Sequence, residues 1–538
     1  MLSLTGTLSS AQSDNEIKKH LEGLPFAMPE MGIPVFPDRL VSIVDFGAVG
    51  DGQTMNTDAI NKAIGECAAK GGGTVLIPAG LWLTGPISLQ SNINLHAEKG
   101  AIILFSRNHA DYPVIKNPVK GSFEVASPIS GYGLENIAIT GGGIFDGSGD
   151  TWRPVKKDKT TEGQWKELLA SGGVVDKTGL YWPTRAAMEG PQYLETLKKK
   201  DKKTITAKDY EPARDYLRPY MVMLYKCNNV LLDGPTFQNS PKFVLYPSYC
   251  QDMVIRNINV LNEWWAQNGD GIDISGGKNI LIYNCMVNAG DDGICMKSSV
   301  SERYSETPAL QDVVISDCVV YHAHGGFVIG SNTDGGMSNI SVSNCNFIST
   351  DVGLRFKSSR GRGGVVQNIF ISNIYMKDIA REAILFDTYY EYKAPSDSAI
   401  VYKADATTPV FRDFSIKNVF CNGARQAVSI TGLPEMPIQY INFENMIISA
   451  KLGFTSLEAS NIHLANVTIL NEKGIPFTVE NSRDMVFKGI KIPDSATSFM
   501  KLSGEFTGNI QVEGTDLSKV KNAFEFGAGV SPDAVKVK

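Results

Sequence analysis

Along most of the chain a short alternation of apolar and polar residues recurs, opened each time by asparagine or aspartate. Asn136-Ile137-Ala138-Ile139, Asn229-Val230-Leu231-Leu232, Asp252-Met253-Val254-Ile255, Asn279-Ile280-Leu281-Ile282 and Asp312-Val313-Val314-Ile315 are copies. The series continues through Asn339, Asn368, Asp413, Asn461, Asp484 and Asn509, with a looser copy after Tyr440. Between residues 229 and 509 the steps run from 21 to 45 residues, a period that marks a solenoid, propeller or array. Within each copy the period is two, which is that of a half-buried strand rather than a helix. One short strand per copy is too little for a propeller blade. The expected architecture is an all-β parallel β-helix, in which each coil supplies two or three short strands and stacks on the one before.

A solenoid needs a cover over its first coil. Residues 56–70 are a candidate helical cap: Ala59, Ile60, Ala63, Ile64 and Cys67 form a stripe, Asn56 or Thr57 can cap its start, and Gly71-Gly72-Gly73 ends it. Residues 147–215 interrupt the repeat with lysine-rich, partly helical sequence such as Tyr193 to Lys203, and read as an insertion over a groove. The expected organisation is an N-terminal tail over 1–40 and one β-helix domain over 41–538. Within the tail, Ser9-Ser10-Ala11-Gln12 resembles the small-residue end of a secretory signal, so residues 1–11 are expected to be its remnant and the protein to be secreted or periplasmic.

Composition narrows the function. A hydrophobic fraction of 43% with 20% charged residues is that of a folded protein, and 52 glycines point to many turns. A net charge of −6 argues against nucleic acid or an anionic membrane as partner, since both need a broad basic surface. No segment approaches the ~18 continuous apolar residues of a membrane span. Eight cysteines make no metal-spaced CxxC pair and fall beside strands, which predicts a column of mostly free thiols.

Polar clusters occur at matching places in four successive copies. Asp291 lies 12 residues after Asn279 and His324 lies 12 after Asp312, while Asp270 lies 18 after Asp252 and Lys357 lies 18 after Asn339. Arg355 and Lys357 are two apart, so on a strand both point to one face. Adjacent Asp291 and Asp292 cannot both do so on a regular strand, and a bend between Gly290 and Gly293 is expected. Crowded carboxylates do not all ionise alike, so one is kept as an acid while the others remain bases, as glycosidic-bond hydrolysis requires. His322 and His324 share a face, but no third or fourth ligand accompanies them and no metal is expected. Trp264 and Trp265 are candidates for stacking on a sugar ring, and Tyr389, with Tyr390 and Tyr392, for lining the same groove.

These motifs resemble those of glycoside hydrolase family 28, the polygalacturonases and their relatives, over about residues 41–450. The family's Asn-Thr-Asp, Gly-Asp-Asp, Gly-His-Gly and Arg-Ile-Lys appear as Asn268-Gly269-Asp270, Gly290-Asp291-Asp292, Ala323-His324-Gly325 and Arg355-Phe356-Lys357. The departures at Gly269, Ala323 and Phe356 bear on packing more than on the reacting groups. The segment Asp45 to Gly52 and the run Asn239-Ser240-Pro241 also resemble that family.

The resemblance implies a right-handed parallel β-helix and an inverting hydrolase of galacturonate-containing polysaccharide that needs no cofactor. Asp291 would protonate the glycosidic oxygen, Asp270 and Asp292 would hold and deprotonate the water, and His324 would support the acid. Asn268, Arg355 and Lys357 would bind substrate, the two cations on its carboxylate. Inversion calls for an acid and base about 6.5–9.5 Å apart. Exo-action is expected because the insertion can close one end of a groove, and the enzyme is expected to work as a monomer. Three other functions fit the same residues: a hydrolase of rhamnogalacturonan or xylogalacturonan, a calcium-dependent pectate-type lyase using the three aspartates as oxygen ligands, and a non-catalytic carbohydrate-binding solenoid.

Overall fold

A computed structural model describes residues 15–118, 121–299, 309–392, 401–494 and 496–538. The expected signal remnant at 1–11 lies outside the described residues. The residues fall into two compact units, one built mainly from Glu30–Asp292 and the other mainly from Gly293–Lys538.

The first unit is a stack of parallel coils. Gly73–Ile77 pairs with Ile93–Ala97, that strand with Glu135–Gly141, and the series continues through Asn228–Asp233, Leu245–Arg256 and Ile272–Tyr283, always parallel. The register puts Val75, Leu95, Ile139, Leu232, Ile255 and Ile282 in one column, and all are buried. The second unit repeats the device. Ile315, Val342, Ile371, Ile416, Phe443, Leu464, Phe487 and Val512 are successive partners and are buried.

The asparagines and aspartates that open the copies are corners set within the strand spans. Asn136, Asn229, Asp252, Asn279, Asp312, Asn339, Asn368, Asp413, Asn461, Asp484 and Asn509 all have left-handed backbone, with φ between 50° and 60°. Asparagine and aspartate tolerate that conformation better than other non-glycine residues. Their side chains also join one coil to the next. Asn136 Nδ2 donates to Asn92 Oδ1 at 3.0 Å, and Asn229 Nδ2 to Asn136 Oδ1 at 2.7 Å. In the second unit Asn339 donates to Asp312 and Asn368 to Asn339. A further ladder of left-handed corners runs through Asn344, Asn373, Asn418, Asn445 and Asn466, five residues after the first.

A helix forms over Thr57–Ala69, with Ile60, Ala63, Ile64 and Cys67 buried. It ends at a left-handed Gly71, whose N–H donates to Ala68 O. Neither expected side-chain cap is made. Asn56 instead accepts from Val49 N and donates to the carbonyls of Val49, Thr54 and Leu83, and Thr57 Oγ1 accepts from Gly85 N. These bonds fix the helix to neighbouring segments, a stronger constraint than a cap confined to its own first turn.

The insertion carries helices at Glu162–Ala170 and Arg185–Leu197 and a small antiparallel sheet of Val155–Lys156, Val174–Val175 and Leu180–Trp182. The helical sequence expected from Tyr193 to Lys203 ends at Leu197 and starts earlier, capped by Thr184. Against the coils, His109 stacks on the buried Trp152 at 3.6 Å, and its Nδ1 meets Asp215 at 2.9 Å. All eight cysteines are buried thiols outside any disulfide.

Asn136 sits mid-ladder, so Asn136→Ala loses two hydrogen bonds and forces alanine into the left-handed region. Unfolding in denaturant should show a loss of about 2–4 kcal/mol. Asn136→Gly keeps the corner without the bonds and should lose about half of that; equal loss in both variants would mean that the corner conformation contributes nothing.

Candidate functional site

In the first unit the three aspartates converge. Asp270 and Asp292 are 3% and 2% exposed, Asp291 is half-buried, and one carboxylate oxygen from each lies within 4.8 Å of the other two. At that distance each fully charged pair repels by about 3 kcal/mol for an effective dielectric near ~20. The oxygen-only set also suits a hard divalent ion.

The bend expected at Gly290 is present, at Gly290–Asp291, and the strand Asp292–Lys297 starts directly after it. The reason for Gly290 differs from that anticipated. It is not left-handed; a Cβ there would lie 2.5 Å from Ala266 O and 2.6 Å from Glu263 O. The departure at Gly269 has the same cause, because a Cβ would lie 2.8 Å from Ala266 Cβ. Gly290 lets the bend pack against the loop 262–270, which carries Asp270, and Gly269 lets that loop fold closely on itself.

That loop lies between the strands Asn259–Leu261 and Ile272–Tyr283. The buried Asn262 closes its base by donating to Gly269 O at 3.2 Å and Ser240 Oγ at 3.0 Å. Asn268 is left-handed and accepts from Arg218 Nη2 at 2.9 Å. Trp264 is 43% exposed, with the Lys159 ammonium 4.9 Å above its ring, and Trp265 is half-buried edge-on to it.

The second unit holds the imidazole and the two cations. His324 Nε2 is 3.7 Å from Asp351 Oδ2. On the strand Val352–Lys357, Arg355 and Lys357 share a face as expected, lying 5.8 Å and 5.0 Å from the Tyr390 ring centre. Phe356 between them points the other way, buried against Phe386, Phe414 and Phe327. Gly325 has no room for a side chain, since a Cβ there would stand 2.4 Å from Val328 Cγ2 and 3.3 Å from two side-chain carbons of Arg355.

Tyr389 is placed differently. Its ring is 6% exposed and lies beneath Arg360, 5.1 Å away, and Arg360 is bound to Glu435. The tyrosine that meets the Arg355–Lys357 pair is Tyr390.

The profile of glycosyl hydrolases family 28 matches residues 206–453, which span both clusters. A rhamnogalacturonase A/epimerase, pectate lyase-like profile matches residues 40–110. The chain is 28% identical over 450 residues to the exo-poly-alpha-D-galacturonosidase of Dickeya chrysanthemi, covering 80% of this chain and 71% of that protein. It is 27% identical over 351 residues to the endo-polygalacturonase of Pectobacterium carotovorum subsp. carotovorum, covering 63% and 74%. Among solved structures it resembles a hyperthermoactive exopolygalacturonase from Thermotoga maritima, with TM-score 0.65, 28% identity and coverage of 82% and 95%. The chain belongs to glycoside hydrolase family 28. It is an enzyme, a glycoside hydrolase.

Several residues beside the family 28 motifs were not found by sequence reasoning. Arg153 and Arg218 lie in or just beyond the insertion, where no repeat offset applies, and Asp351 reaches His324 from the following coil. Tyr390 was separable from Tyr389 only by the direction of a turn. No helix among the described residues is long and apolar enough to cross a membrane.

Near Tyr389, Glu458 is 7% exposed, and burial pushes its carboxyl from 4.5 up to about 7 despite a hydrogen bond from Asn481. The folded protein therefore holds this proton to higher pH than the unfolded chain. The stability this confers is complete below about pH 4.5 and is lost as pH rises through about 7. Glu458→Gln should flatten unfolding stability across that window, and an unchanged pH dependence would remove Glu458 as its source.

Proposed function

We propose that this enzyme is a polygalacturonase, cleaving α-1,4-galacturonosyl linkages of pectin by inversion and from a chain end. The observation that carries the reading is the group of three aspartates within 4.8 Å, on the segment matched by the family 28 profile. Asp291, the least buried of the three, is assigned as the acid on the leaving oxygen. The more buried Asp270 and Asp292 hold and deprotonate water, and His324 supports the acid. Arg355 and Lys357 take the uronate carboxylate, Arg355 as a planar two-point donor and Lys357 as a point charge. Asn268 and the exposed Trp264 bind sugar, with Trp265 behind Trp264, and Tyr390 takes the place expected for Tyr389.

Exo-action draws support from two exo-acting relatives and from the insertion, whose Lys159 stands over Trp264. Inversion rests on the family resemblance. A polymeric cell-wall substrate must be met outside the cytoplasm, so export is part of the proposal.

Digestion of polygalacturonate in chelator should release saturated galacturonate monomer with little early fall in viscosity. An unsaturated product lost on chelation would replace the hydrolase with a lyase, and a rapid viscosity drop would sink exo-action. Proton NMR of the first product should show the anomer opposite to the substrate's; the same anomer would make the enzyme retaining. Asp291→Asn should lower kcat by about 10²–10⁴, and near-normal turnover would remove its assignment as the acid. Lys357→Ala should impair acidic substrates far more than neutral glycans, and equal loss on both would count against carboxylate recognition.

A further inference from the structure

We propose that Arg153 and Arg218 are positioning residues that clamp the two ends of the loop 262–270, so that the insertion and the segment just after it hold Asp270 and Asn268 in place. This rests on the assignment of Asp270 to the reaction.

At the loop's start, Arg153 is 2% exposed and its Nη2 meets Glu263 Oε2 at 2.7 Å. The same guanidinium donates to Ser240 O at 2.8 Å and Asn239 Oδ1 at 3.1 Å, so it joins the insertion, the preceding coil and the loop. At the loop's end, Arg218 donates through Nη1 to Gln267 O at 3.0 Å and through Nη2 to Asn268 Oδ1 at 2.9 Å. A planar fork with two points of contact fixes orientation as well as distance, which a lysine cannot do.

Arg218 is held at some cost. Its backbone is held at a positive φ of 41°, and its Nε is sealed from solvent with no hydrogen-bond partner among the described residues. Burial draws its guanidinium down to about 10, the charge of Arg153 adds to this, and the Asp270 carboxylate opposes it. A strained, incompletely satisfied arginine is a poor device for stability alone, and such features gather where geometry must be held. Asp270 follows Asn268 by two residues and Asn262 closes the base, so the clamp restricts the segment that sets one corner of the carboxylate group. A displacement of about 1 Å at such a group can cost about 10² in rate.

The test uses Arg153→Met, Arg218→Met and Arg218→Lys in the full chain. Amide hydrogen exchange over 262–270 should quicken by about tenfold or more in both methionine variants while the coil strands stay protected. On polygalacturonate, kcat should fall about 10–100-fold with KM changed less than about threefold, as for lost orientation. Arg218→Lys should recover little of this.

Unchanged exchange in the loop would overturn the clamp. So would a kcat loss no larger than the loss of folded protein seen by circular dichroism, or full recovery by Arg218→Lys, which would leave only a charge effect. If the unaltered enzyme releases no product from polygalacturonate, the substrate proposal fails while the exchange measurement still decides the clamp.

Discussion

Everything in this molecule depends on turning the chain at the same place in every coil. A parallel stack keeps its register only if each coil returns to the position of the last, which demands a sharp corner in the left-handed region. For most L-residues that region costs about 1–2 kcal/mol. Asn136, Asn229, Asn339 and Asn368 reduce the cost because their short amides suit the conformation, and they offset more of it by bonding to the equivalent side chain one coil away. A corner residue is therefore also an inter-coil contact.

Fixed corners give the site its order. Where the strand alternation holds, its two faces divide the work: Phe356 enters the aromatic interior, and Arg355 and Lys357 leave on the opposite side toward Tyr390. Where carboxylates must crowd together, the regular coil gives way to a bend at Gly290–Asp291 and a loop at 262–270, packed so closely that neither Gly269 nor Gly290 has room for a side chain. The insertion then braces a loop that the ladder does not reach. Regular stacking supplies the frame, and local exceptions to it supply the convergence that hydrolysis needs.

Much of the frame was legible from the chain. The period-two alternation and the Asn or Asp before it located the coils, the Ile60–Cys67 stripe located the helix Thr57–Ala69, and the two-residue spacing of Arg355 and Lys357 placed them on one face. The part played by Asn and Asp was less clear, because a residue that opens a strand and one that turns a corner look alike in one dimension. The helix's cap was misjudged for a similar reason: Asn56 had a better set of acceptors and donors in Val49, Thr54 and Leu83 than in its own first turn. Tyr389 and Tyr390 differ by one residue, and which ring turned toward Arg360 and which toward Arg355 depended on backbone direction after the strand.

The sequence by itself determined the repeat, the strand period, the buried columns and the identity of the charged groups, because each follows from local spacing or from residue chemistry. Only the tertiary structure decided how close Asp270 comes to Asp291 and Asp292, why Gly269 and Gly290 must be glycine, and that Arg153 and Arg218 reach the loop between them. Those facts depend on segments up to 110 residues apart in the chain, as Arg153 and Glu263 are. Distances of that kind are set by how coils stack and how an insertion folds back, and no local pattern encodes them.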